Sequence, residues 1–326
     1  MRMELATLRN AESSLHPFDV CAAWLSARSK LFSGGWGDEG VLARITDLRA
    51  HPDAVSQPAI LWCSAGRQRD VRVLDGSFVS PLDLLPQQTA VAHVRAWECP
   101  ENDTACIILA ASRDEGYKVR ERVFGSLVRR GINLYLLENA FYGLRRTQSG
   151  LSLRTVSDHI LMSAATLCES RALLLYLKRR YSKLVVAGYS MGGHMAALTA
   201  AISPDPVGCA ALATGASAAA VYTRGLLQWS VDFSNLPPVG SRKARERLQQ
   251  LFVPADITQH PVPLRVDAAV IAGCKRDAYI LQSETERLHS HWKGSSLRWL
   301  GTGHFSAPLT SRRALCDCVA EAARRL

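Results

Sequence analysis

The chain has no C-x-x-C pair, no internal repeat and no low-complexity tract, and read along the sequence no apolar run approaches the roughly 20 residues a membrane-crossing helix needs. Without paired cysteines there is no zinc-ribbon or thioredoxin-type motif to consider. The cysteines that are present number nine, an odd count, and most sit inside apolar runs such as Ala105-Cys106-Ile107-Ile108 and Gly208-Cys209-Ala210. Free cysteine behaves as a small buried hydrophobe, so these read as core positions in a reducing compartment. Cys316-x-Cys318 is too close for a relaxed disulfide and too isolated for a zinc site. His289-x-His291 has no third ligand in view, so no metal and no other cofactor is expected. Aromatic residues make up only 7% of the chain, and none interleave with the basic residues as a base-stacking surface requires, so no nucleic acid is expected as a partner. The opening Met1-Arg2-Met3-Glu4 holds no continuous apolar core of signal-peptide length. Arg2, Arg9 and Arg28 hint at a transit peptide, against which Glu4, Glu12 and Asp19 argue. An intracellular protein is the expectation.

What is present fits one large α/β domain better than two ordinary ones: 326 residues, of which 48% are hydrophobic. A core of that size can hold a buried site without disulfide or metal support. Lys and Arg number 39 against 29 Asp and Glu, a net charge of +10. Charge of this size can favour anionic partners. Here it is dispersed: Arg120, Arg122, Arg129 and Arg130 on one expected helix, Lys178-Arg179-Arg180 ending another, and Arg324 and Arg325 closing the chain. Solvated helix faces are the plainer reading, and peripheral contact with an anionic membrane is the alternative.

From about residue 55, short apolar runs alternate with helical patterns. The expected strands are 71–79, 91–97, 105–110, 132–137, 184–188, 207–213, 268–272 and 297–300. The expected helices are 118–130, 157–180, 191–202, 279–291 and 311–325. Such alternation implies parallel βαβ units, hence an α/β fold with a mostly parallel sheet of about eight strands and helices on both faces. The first two strands have no helix between them and read as an antiparallel pair at one edge. Thr155-x-x-Asp158 is a capping-box start for the longest helix. Residues 1–55 read as an N-terminal helical and loop extension packed on the α/β domain 56–326. Residues 214–267, with Trp229, Phe233 and Pro237-Pro238, interrupt the alternation and read as a small cap. The glycines of Ser33-Gly34-Gly35-Trp36-Gly37 follow no strand and precede no Lys-Ser/Thr, so a phosphate loop is not expected there.

The strongest motif is Gly188-Tyr189-Ser190-Met191-Gly192, set between the β-rich Leu184–Ala187 and an alanine-rich helix. A serine on a sharp strand-to-helix turn is held in strained geometry that lifts its hydroxyl above the sheet, and Gly188 and Gly192 flank it because side chains there would collide. The N–H of Met191 and the helix dipole lie where an oxyanion would develop. Ser190 is therefore the candidate nucleophile. Its partners should follow in the order acid, then histidine, each in a loop after a strand. Asp277 follows the strand Val270–Gly273, and His304 follows Leu297–Leu300 through a glycine turn. Both lie at the C-terminal edge of the sheet, where open α/β folds bind ligands. Asp267 precedes its strand, His289 and His291 end a helix, and His194 lies one turn beyond Ser190, so these are weaker candidates. The second oxyanion donor should come from the loop Ala110–Gly116, through the N–H of Ala111 or Ser112.

These features occur together with Ser29-Lys30-Leu31-Phe32, Gly35-Trp36-Gly37, Leu74-Asp75-Gly76-Ser77-Phe78-Val79-Ser80-Pro81, Leu136-Leu137-Glu138-Asn139, Tyr142-Gly143, Ser190-Met191-Gly192-Gly193-His194-Met195, Asp277-Ala278-Tyr279-Ile280 and Gly303-His304-x-Ser306-Ala307. In these stretches the chain resembles the α/β-hydrolase domain-containing protein 18 family. The resemblance implies the α/β-hydrolase fold, a lipid-directed acyl hydrolase acting on phospholipids of the cardiolipin type, mitochondrial association, and the triad Ser190, Asp277 and His304. Relatives tend to carry glycines in the oxyanion loop where Ala111 and Arg113 stand here. That difference motivates a second reading, a catalytically weak or inactive hydrolase fold acting as a lipid-binding scaffold.

Overall fold

The computed structural model describes residues 15–26, 28, 30–48, 55–68, 70–147, 153–237 and 241–326. The start of the N-terminal extension, with Arg2, Glu4, Arg9 and Glu12, lies outside the described residues. The frame is a nine-stranded sheet in the order β1-β2-β3-β5-β4-β6-β7-β8-β9. The strands are β1 (Leu61–Gln68), β2 (Val71–Val79), β3 (Val91–Glu98), β4 (Thr104–Leu109), β5 (Ile132–Leu137), β6 (Lys183–Tyr189), β7 (Gly208–Leu212), β8 (Ala269–Cys274) and β9 (Ser296–Leu300). Pairing is antiparallel from β1 to β3 and between β3 and β5, and parallel from there to β9.

The strand absent from the sequence reading is β1. Its residues are almost all exposed, Leu61 included, so no apolar alternation marks it. It is held by backbone pairing to β2 and is bulged between Ser64 and Gly66. The sheet's outer edge is therefore β1, and the expected β2–β3 pair lies one strand inward. The central strands are buried on both faces, which is why they read as continuous apolar runs. Alternation still sorts them. Ile107 and Val186 face one core layer, with Leu173, Met195 and Phe252; Cys106, Ile108, Val185 and Ala187 face the other, with Phe124, Leu315 and Val319.

The helices are α1 (Pro17–Ser26), α2 (Glu39–Leu48), α3 (Lys118–Phe124), α4 (Val156–Leu177), α5 (Met191–Ala201), α6 (Ala218–Thr223), α7 (Ser241–Phe252), α8 (Gln282–His291), α9 (Ala307–Thr310) and α10 (Arg312–Arg324). The helix expected over 118–130 becomes 3-10 at Gly125, and the one expected from Tyr279 starts at Gln282. On length and composition α4 could cross a membrane, contrary to the expectation that no such run exists: 22 residues, with a mean hydropathy of 1.4 in its most apolar window. That window is 78% buried in the protein, and the helix lies against the sheet and α5 as a core element.

The capping box forms at its start, Thr155 Oγ1 accepting from Asp158 N–H at 3.1 Å and Asp158 Oδ2 from Thr155 N–H at 3.1 Å. The glycine run supplies a second cap, because Gly35 and Trp36 carbonyls accept from Val156 and Ser157 N–H at 3.1 and 2.9 Å. Gly37 must be glycine, with φ of 79° and a Cβ that would lie 2.1 Å from Ser157 Oγ. Trp36 Nε1 then donates to Pro237 O at 2.6 Å, tying this strap to the residues between β7 and β8 that carry α6 and α7.

One basic residue departs from the solvated-face reading. Arg120 is 3% exposed, donates to Ile108, Leu137 and Gly116 carbonyls and pairs with Asp114 at 3.0 Å and Glu138 at 3.3 Å. It fastens α3 to the ends of β4 and β5. All nine cysteines are free; five are buried, but Cys21 and Cys63 are exposed rather than core positions.

Candidate active site

Ser190 sits between β6 and α5 at φ 57° and ψ −120°, a conformation L residues rarely hold. Close approach of backbone on both sides enforces it. A Cβ on Gly188 would lie 2.3 Å from Gly192 C and O, and one on Gly192 would lie 2.3 Å from Leu109 O. Gly193 is as tightly placed, 2.6 Å from Leu212 O, while Ser190 N–H donates to that same carbonyl at 2.8 Å.

The loops after β8 and β9 bring Asp277 and His304 to this turn. His304 Nε2 lies 2.8 Å from Ser190 Oγ, and its Nδ1 lies 2.7 Å from Asp277 Oδ2. Asp277 is engaged on its other oxygen as well, Oδ1 accepting from Tyr279 N–H at 2.7 Å and Ile280 N–H at 2.9 Å. Its carboxylate is thus both a backbone anchor for the loop ahead of α8 and the imidazole's partner. Asp277 and His304 are buried and Ser190 is half-buried. Burial pulls the imidazole pKa down, but the charge and hydrogen bond of Asp277, with the charge of Asp19, outweigh it and hold His304 above its ordinary value. Tyr279 stacks on the ring, centroids 5.3 Å apart and planes 27° from parallel. Tyr189 Oη donates to the His304 carbonyl.

The glycine next to His304 in this turn is there for space. Gly303 lies outside the left-handed region, and its need is for space, since a Cβ would lie 2.5 Å from His16 Cβ and 2.7 Å from Asp19 Oδ1. The other candidates sit elsewhere. Asp267 is forked by Arg265 on the surface, which holds its carboxyl below the usual range. His289 meets Ser295, His291 meets the His260 carbonyl, and His194 reaches the carbonyls of Gly215 and Ala255, linking α5 to the residues between β7 and β8. Among the described residues no three His, Cys, Asp or Glu side chains cluster as metal ligands.

Of the expected oxyanion donors, Met191 opens α5. After β4 the chain turns through Ala111–Asp114, with Asp114 N–H donating to Ala111 O at 3.1 Å and Arg113 at φ 64°. Tyr142 Oη accepts from Arg113 N–H at 3.1 Å and holds the turn from below. Ser112 lines the same cavity as Ser190 and Met191. That cavity runs between α4, α5, α6 and α7, past Ala164, Leu167, Met195, Leu198, Tyr222 and Phe252. Its walls are mostly apolar, and the buried pair His159 Nε2···Tyr222 Oη, 3.0 Å, closes one side.

Asp19 was not legible as a site residue, and Tyr142 and Tyr279 stood in family-matching stretches without a role. Asp19 is 285 positions from His304 and carries no motif.

A sheet with this strand order, carrying a serine at the β6–α5 turn beneath loops from the next strands, defines the α/β-hydrolase class. Solved structures agree on the fold. An acetyl xylan esterase from Paenibacillus sp. R4 superposes with a TM-score of 0.62 at 11% identity, covering 90% of this chain and 98% of that one. Acetyl xylan esterase 1 from Thermoanaerobacterium sp. JW/SL YS485 gives 0.57 at 10% identity, with coverage of 90% and 98%. A cold-adapted esterase from an Arctic intertidal metagenomic library gives 0.51 at 16% identity, with coverage of 82% and 99%. Within the class, the family model described as alpha/beta hydrolase domain containing 18 matches residues 29–251 and 238–325, and the chain belongs to that family.

Proposed function

We propose that this protein is a serine hydrolase that cleaves carboxylic esters through an acyl-enzyme, with a lipid or phospholipid acyl ester as substrate. The observation that carries the reading is the continuous hydrogen-bonded chain from Ser190 Oγ through both His304 nitrogens to Asp277. Ser190 Oγ attacks the acyl carbonyl while His304 Nε2 takes its proton. Asp277 keeps the proton on Nδ1 and stabilises the imidazolium. The N–H groups of Met191 and of Ser112 or Ala111 receive the oxyanion. His304 returns the proton to the leaving alcohol, and water releases the acyl group by the same steps in reverse.

The apolar cavity beside Ser190 supports an acyl chain as the bound group. A phospholipid of the cardiolipin type and mitochondrial association belong to the same proposal, as what the resemblance of the sequence stretches implies. Exposed Phe18, Trp24 and Leu25 on α1, with Phe305 beside His304, support contact of the site's rim with an anionic membrane.

A fluorophosphonate probe tests the chemistry. The folded wild type should be labelled and Ser190→Ala should not. A folded wild type that stays unlabelled would favour the lipid-binding scaffold. A panel of esters varying in chain length and headgroup tests the substrate class, and equal turnover of polar short-chain esters and phospholipids would remove the lipid assignment.

A further inference from the structure

Asp19 is a fully buried carboxylate on the first turn of α1, far from the motif that carries the chemistry. Both of its oxygens are spent on the backbone that bears His304: Oδ2 accepts from His304 N–H at 2.6 Å and Oδ1 from Phe305 N–H at 3.0 Å. The fit is tight, because Gly303 has no room for a Cβ against Asp19 and His16. His16 N–H in turn donates to the carbonyl of Arg276, next to Asp277, at 3.2 Å. The N-terminal helix and the residue preceding it therefore touch the backbone of both loops that present the triad's partners.

A buried carboxylate is costly unless its lone pairs are satisfied, and charge-assisted bonds to N–H groups are the strong kind. Asp277 acts on the imidazole ring; Asp19 acts on the peptide from which the ring projects. We propose that Asp19 is a positioning residue: it fixes the His304 main chain so that Nε2 reaches Ser190, which makes helix α1 part of the hydrolytic machinery. This rests on the triad reading given above. The groups facing His304 are Asp277, Asp19, Tyr189, Tyr279 and Ser190, and of these Asp277 and Asp19 bring negative charge to it.

The test uses the full chain as wild type, Asp19→Ala and Asp19→Asn. Measured are fluorophosphonate labelling rates, kcat and KM for p-nitrophenyl butyrate across the neutral pH range, and thermal unfolding. Asp19→Ala should lose about 10²-fold in kcat and in labelling rate with KM nearly unchanged, the scale of a misplaced catalytic group. Asp19→Asn should recover part of the loss, since its amide oxygen still accepts one N–H while its NH₂ opposes the other. In both variants the acid limb of kcat/KM should move to lower pH, because a negative charge near the imidazole is gone. A folded Asp19→Ala with wild-type kcat and an unmoved acid limb overturns the proposal, and so does a lowered melting temperature with normal kcat per folded molecule. If Asp19→Ala does not fold, the near-isosteric Asp19→Asn carries the same comparison alone. A folded wild type that neither labels nor hydrolyses the ester sinks the hydrolase reading itself, an outcome distinct from normal turnover by the Asp19 variants.

Discussion

At Ser190 the backbone angles, φ 57° and ψ −120°, suit glycine and cost a serine about 1–3 kcal/mol. The surrounding contacts of Gly188, Gly192 and Gly193 hold that strain in place. Ser190→Gly should therefore be more stable than Ser190→Ala by about 1 kcal/mol in chemical denaturation, although both lack the hydroxyl. Equal stability of the two would show that the turn is not strained. The imidazole offers a second measurement. His304 must be neutral to accept the serine proton, and its pKa is held above the ordinary 6.5. Activity is then lost as pH falls through that raised value, so the acid limb of kcat/KM should lie above 6.5. A limb below it would mean that the carboxylates do not act on the ring as their distances imply.

Secondary-structure elements meet beneath the oxyanion turn in a cluster of buried charge. Arg120 on α3 faces Asp114 and Glu138, and Glu138 Oε1 also accepts from Gly116 N–H at 2.9 Å. Burial raises the Glu138 carboxyl to about 7, against the opposing pull of the Gly116 hydrogen bond and Arg120. For an acid raised on folding, the native state binds the proton more tightly than the unfolded chain does. Its contribution is full below the unfolded value and fades as pH rises through about 7. Glu138→Gln keeps an acceptor for Gly116 and cannot ionise. Measured by urea denaturation, its stability relative to wild type should rise by about 1–3 kcal/mol from pH 4.5 to 7. A difference that stays flat over that interval would show that Glu138 ionises freely.

Over the whole molecule, two distant pairs of helices line one cavity, α4 with α5 and α6 with α7, while the strap of residues 30–37 caps α4 and is tied through Trp36 to Pro237. The wall formed by α4 includes Ala164, 5% exposed and small. Ala164→Leu adds three carbons to that wall. It should lower kcat/KM for long-chain esters by about 10-fold or more while acetyl and butyryl esters change little, since each methylene excluded from an apolar pocket is worth about 0.8 kcal/mol. An equal fall for every chain length would place the acyl group elsewhere.

Much of this architecture was legible in the sequence because local physics fixes it. Central strands buried on both faces must be apolar runs, and a serine turn squeezed between strand and helix must have glycine at Gly188 and Gly192. The order of Ser190, Asp277 and His304, each after a strand, follows from a parallel sheet that delivers its loops to one edge. Strand β1 left no signal because it is nearly all exposed, and the burial of Arg120 left none because a charge looks solvated until its acidic partners are known.

The sequence by itself determined the class of fold and the three groups meant to meet, since backbone sterics and strand burial act over a few neighbouring residues. Only the tertiary structure decided that Asp19, from the other end of the chain, closes on the His304 backbone, and that a glycine-rich strap caps a helix. Those contacts depend on which distant surfaces pack together, and no local pattern of residue types encodes that.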